Sequence, residues 1–303
     1  MSPSKQELED ILGAGSVFEN KNISAYLTLR TQTTAQYYFE AHSREDLLNV
    51  GKLKAKGTSV FILGGGSNLA ITKEKIEGLV VRNRYQTKQL RGQSTDSVEW
   101  EVSSGYPMGR LVNETTKEGY AGFEYHLGLP GTVGGAVYMN SKWTKPVSYV
   151  GDNFISAEVI DSNGEVKKVD KDYFEFAYDY SILQKTKEIL ISATFHLTKE
   201  DPELLQKRSK EALEYRKATQ PFGVATCGCF FRNIDGTSAG ALIDSAGLKN
   251  YQVGDFVVSD IHANFIINKG AGKPEDLTKL LAKIKSTVRE KLGVKLEEEV
   301  III

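Results

Sequence analysis

Two cysteines and seven prolines in 303 residues are few, and they exclude a disulfide scaffold and a collagen-like chain. Cys227 and Cys229 are separated by a single residue, a spacing that disfavours a loop-closing disulfide. The histidines (His42, His126, His196, His262) are scattered singly, so a zinc site lacks its usual four clustered ligands. No apolar run approaches the roughly 18 residues needed to span a bilayer, and MSPSKQELEDIL has no apolar core behind a basic start. Charge of one sign is also missing. Thirty-eight basic against 39 acidic residues leave a formal net charge of −1, with no global field to draw the chain to nucleic acid or an anionic membrane. Repeats, low-complexity tracts and long charge blocks are absent. What remains is a cytoplasmic globular protein, with no membrane insertion and no obligate protein partner evident.

The composition that is present, 40% hydrophobic and 25% charged, is enough to bury a substantial core. Ser4 and Glu7 form an S-x-x-E capping box that opens a short amphipathic helix. TSVFIL (58–63) reads as a buried strand and VEWEVSSG (98–105) as a half-buried one; 107–118 suits a helix, and 188–197 is another strand. SAEVIDSNGEVKKV (156–169) is a hairpin with Asn163-Gly164 at its turn. Asp201-Pro202 opens a charged helix running to about Lys217. A short helix near 238–246, a strand pair within 256–268, and a long helix from about Pro274 to Leu292 follow. In the long helix Leu277, Leu280, Leu281, Ile284 and Val288 form the apolar stripe and Gly293 the C-cap. KLEEEVIII reads as a final strand. The class is α+β in two domains, 1–199 and 200–303.

Two glycine loops carry the first chemical signal. VFILGGGSNLAI (60–71) places Gly64, Gly65, Gly66, Ser67 and Asn68 after a strand, either as a tight turn or as an anion nest of backbone amides. It lacks the G-K-S/T of a Walker loop and the crossover helix of a dinucleotide fingerprint. GLPGTVGGAVYMN (128–140) supplies Pro130, Gly131, Thr132, Gly134, Gly135 and Ala136. Two such loops, neither followed by a long helix, point to a dinucleotide held by backbone amides, with Gly65 and Gly134 clearing the approach of its pyrophosphate.

The same residues carry a resemblance. GGGSN and PGTVGGA-x-x-MN are similar to segments of the UDP-N-acetylenolpyruvoylglucosamine reductase family, whose flavoenzymes make UDP-N-acetylmuramate for peptidoglycan. CGCFFRN (227–233) resembles the family's G-S-x-F-K/R-N, and AGALIDSAGLK (239–249) its A-G-x-L-I-x-x-A-G-L-K. VSDIHANFIIN (258–268) and LGVKLEEEV (292–300) resemble two further motifs in the same order, and the length is similar to the shorter of the family's two types. The resemblance implies an FAD-binding domain of the vanillyl-alcohol-oxidase type, built of two subdomains, followed by a C-terminal α+β substrate-binding domain. It also implies FAD, NADPH as electron donor, and a UDP-sugar enolpyruvate as acceptor. Neither glycine loop has a histidine or cysteine to tether the flavin, so FAD is expected to be non-covalent.

Reducing a vinyl ether that bears a carboxylate needs a proton donor at the α-carbon, an acid or hydrogen-bonding group at the carboxylate, and often a cation for the developing enolate. The resemblance puts Cys229 in the place of a proton-donating serine and Glu299 in the place of the catalytic carboxyl group. A thiol, with an unperturbed pKa of about 8.5, is mostly protonated at neutral pH and keeps that role possible. Among substrate contacts the resemblance implies Asn233 and Tyr178, with Arg232 beside Asn233. Arg216 serves either the diphosphate or a solvated helix face. The chain also departs from the pattern. In FAYDYSILQ (176–184) Asp179 stands where the family has a catalytic arginine, and SKWTK (141–145) replaces a small-residue stretch. A carboxylate opposes an enolate by like-charge repulsion, so Arg232 is the candidate replacement cation. Two other readings stay open: a catalytically degenerate FAD or UDP-sugar binder, and a flavin oxidoreductase of another substrate.

Overall fold

The computed structural model describes residues 3–234 and 236–303. The chain divides into two compact units. Unit 1 takes the residues up to Glu19, Tyr37–Gly65 and Glu77–Tyr215; unit 2 takes Asn20–Gln36, Gly66–Ile76 and Arg216–Ile303.

In unit 1, α1 (Lys5–Leu12) starts at the capping box expected from Ser4 and Glu7. A second box, Ser43 with Asp46, starts α2 (Arg44–Ala55). α3 (Met108–Glu118) has Pro107 as its N-cap and ends at Gly119, whose φ of 79° suits a residue without a Cβ. The second glycine loop holds an element its sequence hides: α4 (Val133–Met139), capped by Thr132. Gly134 and Gly135 are therefore helical, and Ala136, Val137 and Met139 bury that helix. α5 (Leu183–Thr186) is a single turn, and α6 (Pro202–Thr219) begins as Asp201-Pro202 predicts, with Asp201 Oδ1 accepting from the Glu203 amide at 2.9 Å.

An antiparallel sheet dominates unit 1, in the order Val166–Asp170, Phe154–Ile160, Ile189–Lys199, Ser97–Ser103, Lys88–Gln93. Its first two strands are the expected hairpin, with Gly164 in the left-handed region at φ 80°. A second sheet contains the parallel pair Val60–Leu63 and Lys75–Asn83. Lys75–Asn83 begins inside the charged stretch KEKIE (73–77), because Ile76 alternates in phase with the apolar run that follows. Two apolar cores fill this unit. One lies around Phe123, Phe154, Phe174 and Phe195, the other around Leu8, Tyr37, Leu47 and Val81.

Unit 2 has one core, to which α7 (Ala239–Ser245) and α8 (Pro274–Leu292) both contribute. All five residues of the expected α8 stripe are buried, and Gly293 ends the helix at φ 72°. Phe256–Val258 pairs antiparallel with Ile266–Asn268, the strand pair read from the sequence. The last strand is shorter than KLEEEVIII implies: only Ile301–Ile302 is regular, parallel to Leu69–Ala70. Among the described residues, no helix is long and apolar enough to cross a membrane.

Candidate active site

In unit 1 the second glycine loop is zipped to the strand end at 104–108. The Gly134 amide donates to the Ser104 carbonyl at 2.8 Å, Val133 to Tyr106 at 2.9 Å, and Met108 to Gly131 at 3.0 Å. Ser104 is itself held, its hydroxyl donating to the Leu190 carbonyl (2.6 Å) and accepting from the Asn83 amide (2.7 Å). Close approach explains most of the glycines. A Cβ on Gly65 would lie 2.4 Å from Gly131 Cα, and one on Gly134 would lie 2.9 Å from the Ser104 carbonyl oxygen. Those two glycines make room for protein backbone, which corrects the expectation that they clear the path of a pyrophosphate. Gly135 differs: it is exposed, and a Cβ there would meet only Thr132 Oγ1, at 3.9 Å. Thr132 Oγ1 caps the helix by accepting from the Gly135 amide at 3.4 Å. Pro130 is exposed and Ala136 is packed inside. The result is a rigid backbone cradle with one open glycine face, which suits a nucleotide cofactor's phosphates. The role of 104–106 was missed in the sequence; Gly105, whose Cβ would lie 2.5 Å from the Tyr85 carbonyl oxygen, is its signal.

The remainder of the first loop, Gly66, Ser67 and Asn68, lies in unit 2. Gly66, at φ 63°, presents its carbonyl to the Thr28 amide at 3.1 Å, and the Asn68 carbonyl accepts from the Ile301 amide at 3.1 Å.

Also in unit 2, the segment 229–232 lies between two others. On one side Cys229 bridges antiparallel to Phe265, and the Phe230 amide donates to the Asn264 carbonyl at 2.9 Å. On the other side the Arg232 amide donates to the Glu297 carbonyl (2.9 Å) and the Glu299 amide to the Phe230 carbonyl (2.8 Å). This pairing brings Glu299 within one residue of Cys229 across the ladder. Of the other glutamates, Glu298 is tied to Lys285 of α8 at 2.8 Å. The acidic run is thus paired through its backbone, with the Glu298 side chain held by Lys285.

The two thiols differ in environment. Cys227 is buried, and burial pushes its thiol pKa up, which makes it inert. Cys229 is half-buried and lies close enough to Arg216 to act on it: burial brings the guanidinium down to about 10, and the Cys229 charge counters that fall. Arg216, in the last turn of α6, is half-buried and so does not lie on a solvated helix face. Asn233 is exposed and its Oδ1 accepts from the Ala239 amide at 3.0 Å, so this side-chain oxygen braces the start of α7. Arg232 is half-buried. Burial keeps the His262 pKa low, and its Nδ1 accepts from the Asn264 amide at 3.3 Å, as a neutral ring can.

Asn264 holds the segment in place. Its Oδ1 accepts from the Phe231 amide (2.9 Å) and its Nδ2 donates to the Phe231 carbonyl (2.8 Å), all buried. Asn264→Ala strands two buried backbone groups at about 1–3 kcal/mol each, so it should destabilise the protein by about 2–6 kcal/mol. Chemical denaturation measures this; a loss below about 1 kcal/mol would show that water replaces the amide.

In unit 1, Asp179 is buried and paired with Lys142, Nζ to Oδ2 at 3.4 Å, with the ammonium 3.1 Å from the centroid of the Tyr178 ring. Lys142 belongs to the SKWTK departure, which forms a hairpin of Lys142–Thr144 with Val147–Tyr149. No pattern in the sequence links two positions so far apart. Among the described residues, no group of three or more His, Cys, Asp or Glu is arranged to hold a metal.

Comparison with known proteins bears on the family and the fold. Residues 220–303 match the C-terminal domain of UDP-N-acetylenolpyruvoylglucosamine reductase, and residues 35–170 match an FAD binding domain. The UDP-N-acetylenolpyruvoylglucosamine reductase of Chlamydia trachomatis serovar L2 is 36% identical over 95% of this chain and 96% of that protein. The same enzyme from Halalkalibacterium halodurans is 32% identical over 95% of each. The crystal structure of UDP-N-acetylenolpyruvylglucosamine reductase from Thermus caldophilus superposes with a TM-score of 0.79 at 30% identity, covering 94% of this chain and 97% of that one. A VAO-type flavoprotein from Myceliophthora thermophila shares the fold at a TM-score of 0.57 and 10% identity, over 95% of this chain and 85% of that one.

Proposed function

Because the chain belongs to the UDP-N-acetylenolpyruvoylglucosamine reductase family, we infer that Cys229 and Glu299 carry its protonation chemistry. The protein is an FAD-dependent oxidoreductase that reduces UDP-N-acetylenolpyruvoylglucosamine for peptidoglycan synthesis, with NADPH as reductant. Bound FAD supplies the hydride that saturates the enolpyruvyl double bond. The chain's residues supply the rest.

The open Gly135 face, with the Gly131 and Thr132 amides beside it, holds the cofactor's phosphates, without a covalent tether. Cys229 holds a proton on Sγ and delivers it to the substrate α-carbon as charge builds there. The positive charge of Arg216 stabilises the thiolate left behind. Glu299, facing the substrate carboxylate as a neutral acid, donates a hydrogen bond to it. Asn233, Arg232 and Tyr178 make the remaining substrate contacts. The observation that carries these roles is the pairing of the Glu299 amide with the Phe230 carbonyl, which fixes the two reactive groups on adjacent backbone. FAD binding by 1–199 and substrate binding by 200–303 is a division of roles and not of packing, since 20–36 and 66–76 fold with the C-terminal part. The same reading puts the reaction in the cytoplasm, where NADPH and nucleotide sugars are supplied.

An anaerobic two-step assay tests it. NADPH should bleach the flavin, and one equivalent of the enolpyruvyl nucleotide should restore the oxidised spectrum. A flavin that bleaches but stays reduced with the nucleotide would leave a binder or another oxidoreductase.

A further inference from the structure

We propose that Lys142 is the cation that meets the substrate carboxylate as it becomes an enolate, and that Asp179 is its positioning residue. The inference rests on the reductase reading and adds to it a residue outside every motif that led there.

That chemistry calls for a fixed, poorly hydrated cation, because charge stabilisation is strongest where water is excluded and the donor is already oriented. Lys142 meets both conditions. Its side chain is 17% exposed, against 8% for its partner Asp179, and its ammonium lies over the Tyr178 ring. A lysine in solution samples many rotamers; this one is held on two sides. One N–H points to Asp179, and a primary ammonium has three. The pair is loose at 3.4 Å, so the carboxylate orients the ammonium without saturating it.

The platform is firm. Asp179 sits at φ 49°, and its carbonyl accepts from Gln184 Nε2 at 2.8 Å. Ser181 Oγ and Gln184 Nε2 both donate to the Tyr138 carbonyl, at 2.8 and 3.1 Å, and Asn140 Nδ2 donates to the Ala177 carbonyl at 2.9 Å. These bonds fasten 177–184 to the C-terminal end of α4, the helix whose other end carries the open Gly135 face. Lys142 leaves that helix two residues beyond its C-cap, Asn140. Cofactor cradle, tyrosine and ammonium thus share one rigid support. The position at which the family pattern would lead one to look for an arginine carries a carboxylate, and that carboxylate is what holds the lysine there.

The test compares Lys142→Met, Lys142→Arg and Asp179→Asn with wild type in anaerobic stopped flow, with calorimetric titration of the enolpyruvyl nucleotide onto the oxidised holoenzyme. Lys142→Met should keep its FAD and be reduced by NADPH at near wild-type rate, while reoxidation by the nucleotide slows about 100-fold or more. Nucleotide affinity should fall only several-fold, since the cation acts mainly on charge that develops during reaction. Lys142→Arg should recover most of the reoxidation rate, which a merely structural tie would not require. Asp179→Asn should slow reoxidation about tenfold while NADPH reduction and nucleotide affinity stay within about threefold of wild type, because the ammonium loses the carboxylate that orients it. Reoxidation of Lys142→Met within about threefold of wild type overturns the proposal. If Lys142→Met fails to hold FAD, Asp179→Asn decides: reoxidation within about threefold of wild type overturns the proposal. A wild type that reacts with NADPH but not with the nucleotide sinks the reductase reading instead, and the proposal with it.

Discussion

Replacing Cys229 by alanine should leave NADPH reduction of the flavin within about twofold of wild type and slow reoxidation by the enolpyruvyl nucleotide about 100- to 10,000-fold, the usual contribution of a positioned general acid. The two half-reactions separate because only the second needs a proton at the substrate α-carbon. Cys227 cannot substitute. It is buried, its thiol is pushed up by that burial, and Gly228 at φ 92° turns the chain between the two cysteines. Cys229→Ser should retain part of the rate, because a hydroxyl donates from the same place but is a far weaker acid. Rapid mixing of pre-reduced protein with nucleotide reads the step directly, and an alanine variant that reoxidises at the wild-type rate would reduce Cys229 to packing.

The second large effect separates glycines packed against backbone from one whose face is open. Gly65→Val should yield little folded protein, because even its Cβ would lie 2.4 Å from Gly131 Cα, and backbone cannot yield as a side-chain tip can. Gly135→Leu should fold. Its Cβ meets nothing closer than 3.9 Å, and a helical position gains about 0.5–1 kcal/mol when glycine is replaced by a residue with a side chain such as alanine. That variant should be a stable, colourless apoprotein, its side chain filling the open face of the cradle. Thermal unfolding together with the flavin-to-protein absorbance ratio distinguishes the two outcomes. Full FAD occupancy in Gly135→Leu would mean that the phosphates lie elsewhere.

Local signals in the sequence were reliable wherever the cause was local. The α8 stripe, the Asn163-Gly164 turn and the Asp201-Pro202 helix start all depend on residues within a few positions of each other, and each stands in the structure. Motif resemblance reached further, to the segments 229–232 and 297–299, whose backbones pair with each other although they lie far apart in sequence. Three features stayed hidden, each for a physical reason. α4 is masked by its own glycines, whose low helix propensity is outweighed by the burial of Ala136, Val137 and Met139. The purpose of Gly65 depends on Gly131, far along the chain. Lys142 and Asp179 form a pair across 37 positions, where charge complementarity leaves no periodic trace.

Unit 2 is assembled from three stretches, the last beginning at Arg216, roughly 140 residues after the second ends at Ile76. At about 5–20 residues per second on the ribosome, Leu29 and Ala70 wait on the order of 10–30 s for the core they join. During that interval the strand Leu69–Ala70 has no Ile301–Ile302 to pair with. Unit 1, whose intervening residues emerge in the meantime, can organise first. The nascent chain therefore has a window in which apolar residues destined for the substrate half are uncovered, and holdase chaperones or a slowed emergence of residues 77–215 would act on yield through that window alone, with no change in the finished enzyme.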